Sequence, residues 1–403
     1  MFQHLQIPYR QERWLVGLAD IVLQMGTLVG ASLRAPLPAT ALAARPKRIL
    51  LLRLERVGDL LMVLDAIARV RAFAPQAHID LVVGSWNAPL AHLIRNVDAV
   101  ETLDVPWMAR EGRGESWIGI LQRTRTWRDK RYDLAINFEP DIRSNLMLAL
   151  SGAPLRAGFA SGGGAAVLTH ALQPDPAAHI AANASALVTR VFARHEDSAD
   201  ATDPAAPNPL VPKLAIPEEA RRRAKALVGP LSPGGIAIGI QPAAGRQIKE
   251  WDPLKFAEVG SALARSRGAT IILIGSTADW PALDAVRSAW PRDVPLVELP
   301  AETDLVVLAA VLEQLALFIT GDTGPMHLAA AVGTPVLAIF GPSLPTRYAP
   351  LSPSSRIVRI DILCSPCNLM RKPPARCVGH VPDCLAGIES AEVMKVANEM
   401  LNR

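Results

Sequence analysis

Short apolar runs alternate with longer stretches of helical period along most of this chain. The first run is Arg48-Ile49-Leu50-Leu51-Leu52-Arg53-Leu54, and the turn Glu55-Arg56-Val57-Gly58 leads from it into a helical pattern over 59–71. Runs at 78–84, 100–105 and 133–138 predict further strands with helical stretches between them. The alternation returns at 236–241, 270–275, 296–299, 317–320 and 336–340. Helices are predicted over 253–267, 278–289, 304–315 and 325–332, and a last one over 390–402. Strand, helix, strand in this order means parallel βαβ units. Residues 157–164 are glycine-rich and read as a loop. Residues 197–217, rich in Asp, Ala and Pro, read as a linker. The pattern predicts an α/β protein of two Rossmann-like, doubly wound domains facing each other across a cleft, over 47–212 and 213–403. Residues 1–46 form an N-terminal helical extension.

That extension has two faces. Gly17, Asp20, Gln24, Thr27 and Ala31 share one side of a predicted helix over 14–33, and Trp14, Leu18, Ile21, Val22, Met25 and Leu28 cover the other. Asp20 near the centre argues for an amphipathic helix and against a membrane span. The apolar stretch is also long and interrupted for a signal peptide, although Ala41-Leu42-Ala43 follows it. Packing on the body of the protein, or lying in a membrane interface, are the two expectations. If the helix anchors the protein, removing 1–46 shifts it to the soluble fraction.

Composition narrows the partners. Half of the 403 residues are hydrophobic, enough for two cores, and the net charge is +4. This mild basicity suits an anionic substrate or surface. It is too scattered, with 5% aromatics, for nucleic acid. All four cysteines, Cys364, Cys367, Cys377 and Cys384, lie within one short segment. Their spacings leave a zinc site, disulfides or plain thiols open. A structural clasp suits them better than chemistry.

The densest chemical signal is Asp322-Thr323-Gly324-Pro325-Met326-His327, between an apolar run and a second apolar pattern. Thr323 can cap the helix and Pro325 suits its first turn. The helix start then offers amides and a positive dipole to a phosphate. An ordinary capped junction has the same pattern, so other residues must carry the functional reading. Asp59 follows the first strand on the Gly58 turn, where a carboxylate can take a proton from a hydroxyl or simply cap the helix. Lys249 lies after another strand, in a small-residue loop with Arg246, where a cation can neutralise phosphate. Asp279 follows the next strand and can bind ribose hydroxyls, or cap. Gly234-Gly235-Ile236-Ala237-Ile238-Gly239 is a poor dinucleotide fingerprint, because its glycines precede the strand.

Four segments together resemble glycosyltransferase family 9, the ADP-heptose:lipopolysaccharide heptosyltransferases. They are Arg53-Leu54-Glu55-Arg56-Val57-Gly58-Asp59, Tyr132-Asp133-Leu134-Ala135-Ile136-Asn137, Lys249-Glu250-Trp251-Asp252-Pro253, and the long stretch 321–335 continuing into Phe340-Gly341-Pro342-Ser343. The resemblance implies a GT-B fold, with acceptor on the N-terminal domain and nucleotide-sugar donor on the C-terminal one. It implies inverting transfer with no metal or cofactor. It gives Asp59 as base, Lys249 on the donor phosphate, Asp322, Thr323 and Gly324 as the donor turn, and Asp279 near the ribose. His327 belongs to the motif as a substrate contact or as packing. The implied partners are a nucleotide-sugar and a lipid-linked glycan, and the implied location is the cytoplasm, with peripheral contact at the inner membrane. Two departures, Val63-Leu64-Asp65-Ala66 and Ala243-Ala244-Gly245, bear on which sugar and acceptor are used. A GT-B nucleotide-sugar epimerase, a non-catalytic glycan-binding relative and a zinc module on the cysteines are the rival readings.

Overall fold

The computed structural model describes residues 2, 4–7, 9–31, 45–109, 114–193, 214–231 and 235–402, without the side chains of 27–31. Most of the expected linker, the Ala41-Leu42-Ala43 segment and Gly234 lie outside these residues. The chain divides into two compact units, Met1–Pro207 and Asn208–Arg403.

The N-terminal unit is built on β1 (Arg48–Arg53), β2 (His78–Val83), β3 (Ala99–Thr102), β4 (Leu134–Asn137), β5 (Leu155–Phe159) and β6 (His170–Leu172). All neighbours pair in parallel, in the order β3-β2-β1-β4-β5-β6. Ile49 to Leu52 are fully buried, as a central strand covered on both faces requires. The C-terminal unit repeats the plan with β7 (Ala237–Gln241), β8 (Thr270–Leu273), β9 (Leu296–Glu298), β10 (Leu317–Gly321), β11 (Val336–Ile339) and β12 (Arg356–Val358). Its order is β12-β11-β10-β7-β8-β9, again all parallel. Counted from its own first strand, this is the order of the first sheet. Each unit is therefore Rossmann-like, with one point where the winding reverses: between β1 and β4, and between β7 and β10. Ligands of such sheets bind beyond the carboxyl ends of the strands at that point.

Two expectations need correction. Residues 157–159 are not loop: they form most of β5, and Gly158 there lies against the core, where a Cβ would meet Asn145 Oδ1 at 2.7 Å. The missing side chain is a packing requirement that glycine content alone conceals. The helix expected over 59–71 is broken into α2 (Val57–Leu61) and a second helix, Leu64–Phe73, because Val63 leaves helical geometry.

The N-terminal helix α1 (Arg10–Ala31) turns Gly17 and Asp20 inward. Asp20 is buried and its Oδ1 accepts the Gly164 amide at 2.7 Å, while Gln24 donates to its Oδ2. Phe2 fills the space over Gly17, where a Cβ would meet its ring at 2.4 Å. No helix among the described residues is long and apolar enough to cross a membrane.

Candidate active site

The two switch points hold the residues of interest, and each unit contributes its own set. In the C-terminal unit, β7 runs into the loop that carries Lys249, and β10 ends beside Asp322. Because β7 and β10 are neighbours, residues 73 apart in sequence meet: Lys249 Nζ lies 2.9 Å from Asp322 Oδ2. The same oxygen accepts the Ser343 hydroxyl at 2.6 Å. Burial would raise the Asp322 carboxyl. Lys249, the Ser343 hydroxyl and His327 together outweigh it and hold the group below the ordinary carboxylate range.

The helix Gly324–Val332 begins at this spot. Thr323 caps it, its Oγ1 accepting the Met326 amide, and the same hydroxyl donates to Gln241 Oε1 at 2.9 Å. Gln241 also accepts Thr320, so β7 and the cap are tied by one side chain. With Met326 engaged and Pro325 lacking an N–H, the amides of Thr323 and Gly324 are the ones left for an anion. Two amides, a helix dipole and one lysine thus converge on a small volume. His327 is buried. Gly321 eases the close approach of the lysine loop, since a Cβ there would sit 3.2 Å from the Lys249 carbonyl and press it back by a few tenths of an ångström.

The remaining donor-side residues are arranged differently. Arg246 is exposed in the same loop, with no ion-pair partner among the described residues. Asp279 closes a capping box: its Oδ2 accepts both the amide and the hydroxyl of Ser276 at 2.8 Å. Its capping role is therefore visible, and any ribose contact must share that carboxylate.

In the N-terminal unit, Asp59 stands in α2 just beyond β1. It too caps, Oδ2 accepting the Arg56 amide at 3.1 Å, and its side chain keeps about a quarter of its exposure, 26%. Gly58 before it is buried. Behind Asp59 lies an arrangement that motif reading missed. Arg53, at the end of β1, is buried; its guanidinium lies 2.7 Å from Glu55 and 3.7 Å from Asp59, and it donates to the Phe138 carbonyl. Glu139, beyond β4, accepts the Leu54 amide and the Ser144 hydroxyl. One buried cation thus serves a group of carboxylates. Burial pushes Glu55 up to about 8, against the pull of Arg53 and with the help of Asp59, Glu139 and Asp141. The sequence signal was present in Arg53-Leu54-Glu55, where two charges flank a buried leucine at a strand end.

These shifts set signs for pH dependence. Asp322 is lowered, so its contribution to stability is complete above the ordinary carboxylate range and is lost as pH falls through its depressed value. Urea midpoints taken from pH 7 to pH 3 decline in the wild type, and Asp322→Asn flattens that part of the curve. Glu55 is raised, so the folded state holds a proton that the unfolded chain has already lost. Stability therefore falls as pH rises from about 4.5 to about 8, and Glu55→Gln removes that fall in melts at fixed ionic strength.

The cysteines stand apart from both sets. All four are free thiols, so the disulfide expectation is not met. The described residues contain no group of three or more His, Cys, Asp or Glu placed to hold a metal ion. Cys384 is buried in the core of the unit, and burial, with the neighbouring Cys367, Cys364 and Cys377, pushes its thiol up to about 11. Burial thus keeps Cys384 from becoming a nucleophile near neutral pH.

Two Rossmann-like units, each with a parallel six-stranded sheet and one switch point, define a protein of GT-B type. The chain belongs to glycosyltransferase family 9 (heptosyltransferase), whose pattern matches residues 120–376. It is a glycosyltransferase. Lipopolysaccharide heptosyltransferase 2 of Escherichia coli K12 is 28% identical over 324 residues, covering 78% of this chain and 88% of the relative. Among solved structures, E. coli ADP-heptose lps heptosyltransferase II superposes with a TM-score of 0.69 at 24% identity, covering 88% of this chain and 98% of that one. A family 9 glycosyl transferase from Veillonella parvula reaches 0.72 at 22% identity, covering 88% and 97%. At these identities the structural likeness establishes the fold.

Proposed function

We propose that this enzyme transfers heptose from ADP-heptose to a lipopolysaccharide core, with inversion at the anomeric carbon. The observation that carries the reading is the meeting of Lys249, Asp322 and the capped helix start at the second switch point. In the free protein Lys249 and Asp322 neutralise each other. A diphosphate arriving at the Thr323 and Gly324 amides competes for the lysine, which then serves the leaving group, and Asp322 turns to the sugar hydroxyls. Asp59 takes the proton of the attacking acceptor hydroxyl, and that oxygen bonds to the anomeric carbon as the bond to ADP breaks. Negative charge gathers on the departing diphosphate, where a fixed lysine and fixed dipoles stabilise it most. These groups supply the positive charge from the chain itself, so the reading needs no divalent cation and no cofactor. Arg246 and Asp279 serve the donor's outer phosphate and ribose. His327 supports Asp322 from within the helix. A lipid-linked acceptor places the reaction on the cytoplasmic face of the inner membrane.

The test is transfer in vitro. ADP-heptose and a heptose-deficient core acceptor, with EDTA present, give a product whose new linkage has the opposite anomeric configuration by NMR. Turnover with UDP- or GDP-sugars only would retain the mechanism and overturn the donor. Release of an altered sugar nucleotide without acceptor would favour the epimerase.

A further inference from the structure

Helix α1 is mounted with Gly17 and Asp20 inward and its apolar stripe out. On the inner side, Asp20 takes the Gly164 amide and Gln24 donates to Asp20. On the outer side Trp14, Leu15, Leu18, Val22 and Met25 are 43%, 70%, 52%, 68% and 63% exposed. Successive helical residues turn by about 100°, so these five fall within about 100° of the circumference. A soluble surface rarely spends five large apolar side chains on one stripe unless something covers it.

Charge says what covers it. The chain carries 42 Lys and Arg against 38 Asp and Glu, a net of +4. Residues 1–48 hold six cations, Arg10, Arg13, Arg34, Arg45, Lys47 and Arg48, against Glu12 and Asp20. Of these, Arg10 and Arg13 lie in the helix itself, while Lys47 and Arg48 lead into β1 at the amino edge of the sheet. Asp20 is buried beneath the helix and opposes nothing outside. A stripe of Trp, Leu, Val and Met on a helix that starts with Arg10 and Arg13 suits an anionic bilayer interface, where the apolar side chains enter the acyl boundary and the two cations meet headgroups. A second protein copy would gain nothing from the charge.

The mounting also has a direction. The loop that Asp20 grips follows β5, and in a parallel sheet every strand ends at the same edge, so α1 is fixed to the edge from which Asp59 projects. We propose that the outward face of α1 docks into the interface of an anionic membrane and holds the carboxyl edge of the N-terminal sheet against it. In treating that membrane as the place where the acceptor is met, the inference rests on the transferase reading; the docking itself rests on α1.

The experiment is co-sedimentation of the full chain with phosphatidylcholine vesicles and with vesicles containing phosphatidylglycerol. Wild type pellets with the anionic vesicles, more weakly at high salt. Leu18→Asp and Val22→Asp, both on the exposed stripe, each weaken binding by about ten-fold, with unchanged circular dichroism and melting. Both variants keep wild-type turnover on a deacylated, soluble acceptor and lose turnover on acceptor embedded in anionic vesicles. Wild type remaining in the supernatant with anionic vesicles overturns the proposal. So does equal pelleting of the variants, or a dimer that Leu18→Asp dissolves while vesicles bind nothing. Anionic-vesicle binding lost in the variants, with no transfer to any acceptor, upholds the docking and sinks the transferase reading alone.

Discussion

Lys249→Ala is expected to reduce kcat/KM for the donor by about 100- to 1,000-fold, the loss typical of removing one preorganised charge from a leaving group. The same change strips Asp322 of its cation. The two side chains keep only 17% and 11% of their exposure, so the orphaned carboxylate costs about 3 kcal/mol of stability. Activity and stability then fall together, and a single variant cannot separate them. The paired variant Lys249→Met/Asp322→Asn does. It removes both charges at once, so most of the stability returns in a urea melt. Activity stays low, because no cation meets the diphosphate. Recovery of activity along with stability would show that the lysine serves the fold alone. Isothermal titration with ADP adds the binding half: wild type binds, and both variants bind weakly.

Asp59→Asn is the complementary case. The amide oxygen of asparagine can still accept the Arg56 amide, so the cap survives and the melting temperature moves little. Asparagine has no basic carboxylate, so kcat falls by about 100- to 10,000-fold, the range that one general base supplies. Donor affinity, held by groups in the other unit, stays at the wild-type value. Steady-state rates with saturating donor and acceptor, beside a thermal melt, read all three. A variant that loses stability but keeps kcat would leave Asp59 as a helix cap only.

Much of this was legible along the chain. The strands β1, β2, β4, β7, β8, β10 and β11 were each announced by an apolar run with a turn after it, since a strand buried on both faces has no polar side to interrupt the run. The strand β5 and the edge strands β6 and β12 were not. They are short, partly exposed or built around glycine, as at Gly158, and carry no period that distinguishes them from loop. The long motif from Gly321 onward located the helix cap because capping is a local matter of Thr323 and the next three residues.

What the chain order could not contain is the company that each charge keeps. Whether Asp322 is ionised depends on Lys249 and Ser343, which reach it only because β7 and β10 lie side by side. Arg53 and Glu139 meet by the same logic across β1 and β4. Sequence alone also showed that α1 has two faces, but not which one turns outward. The Gly164 amide decided that, by offering Asp20 a partner inside and leaving the apolar stripe to the surface. Local periodicity and capping depend on neighbours within a few residues, and a sequence displays those directly. Ionisation, ion pairing and the orientation of a helix depend on groups brought together by strand order, and only the folded sheets supply them.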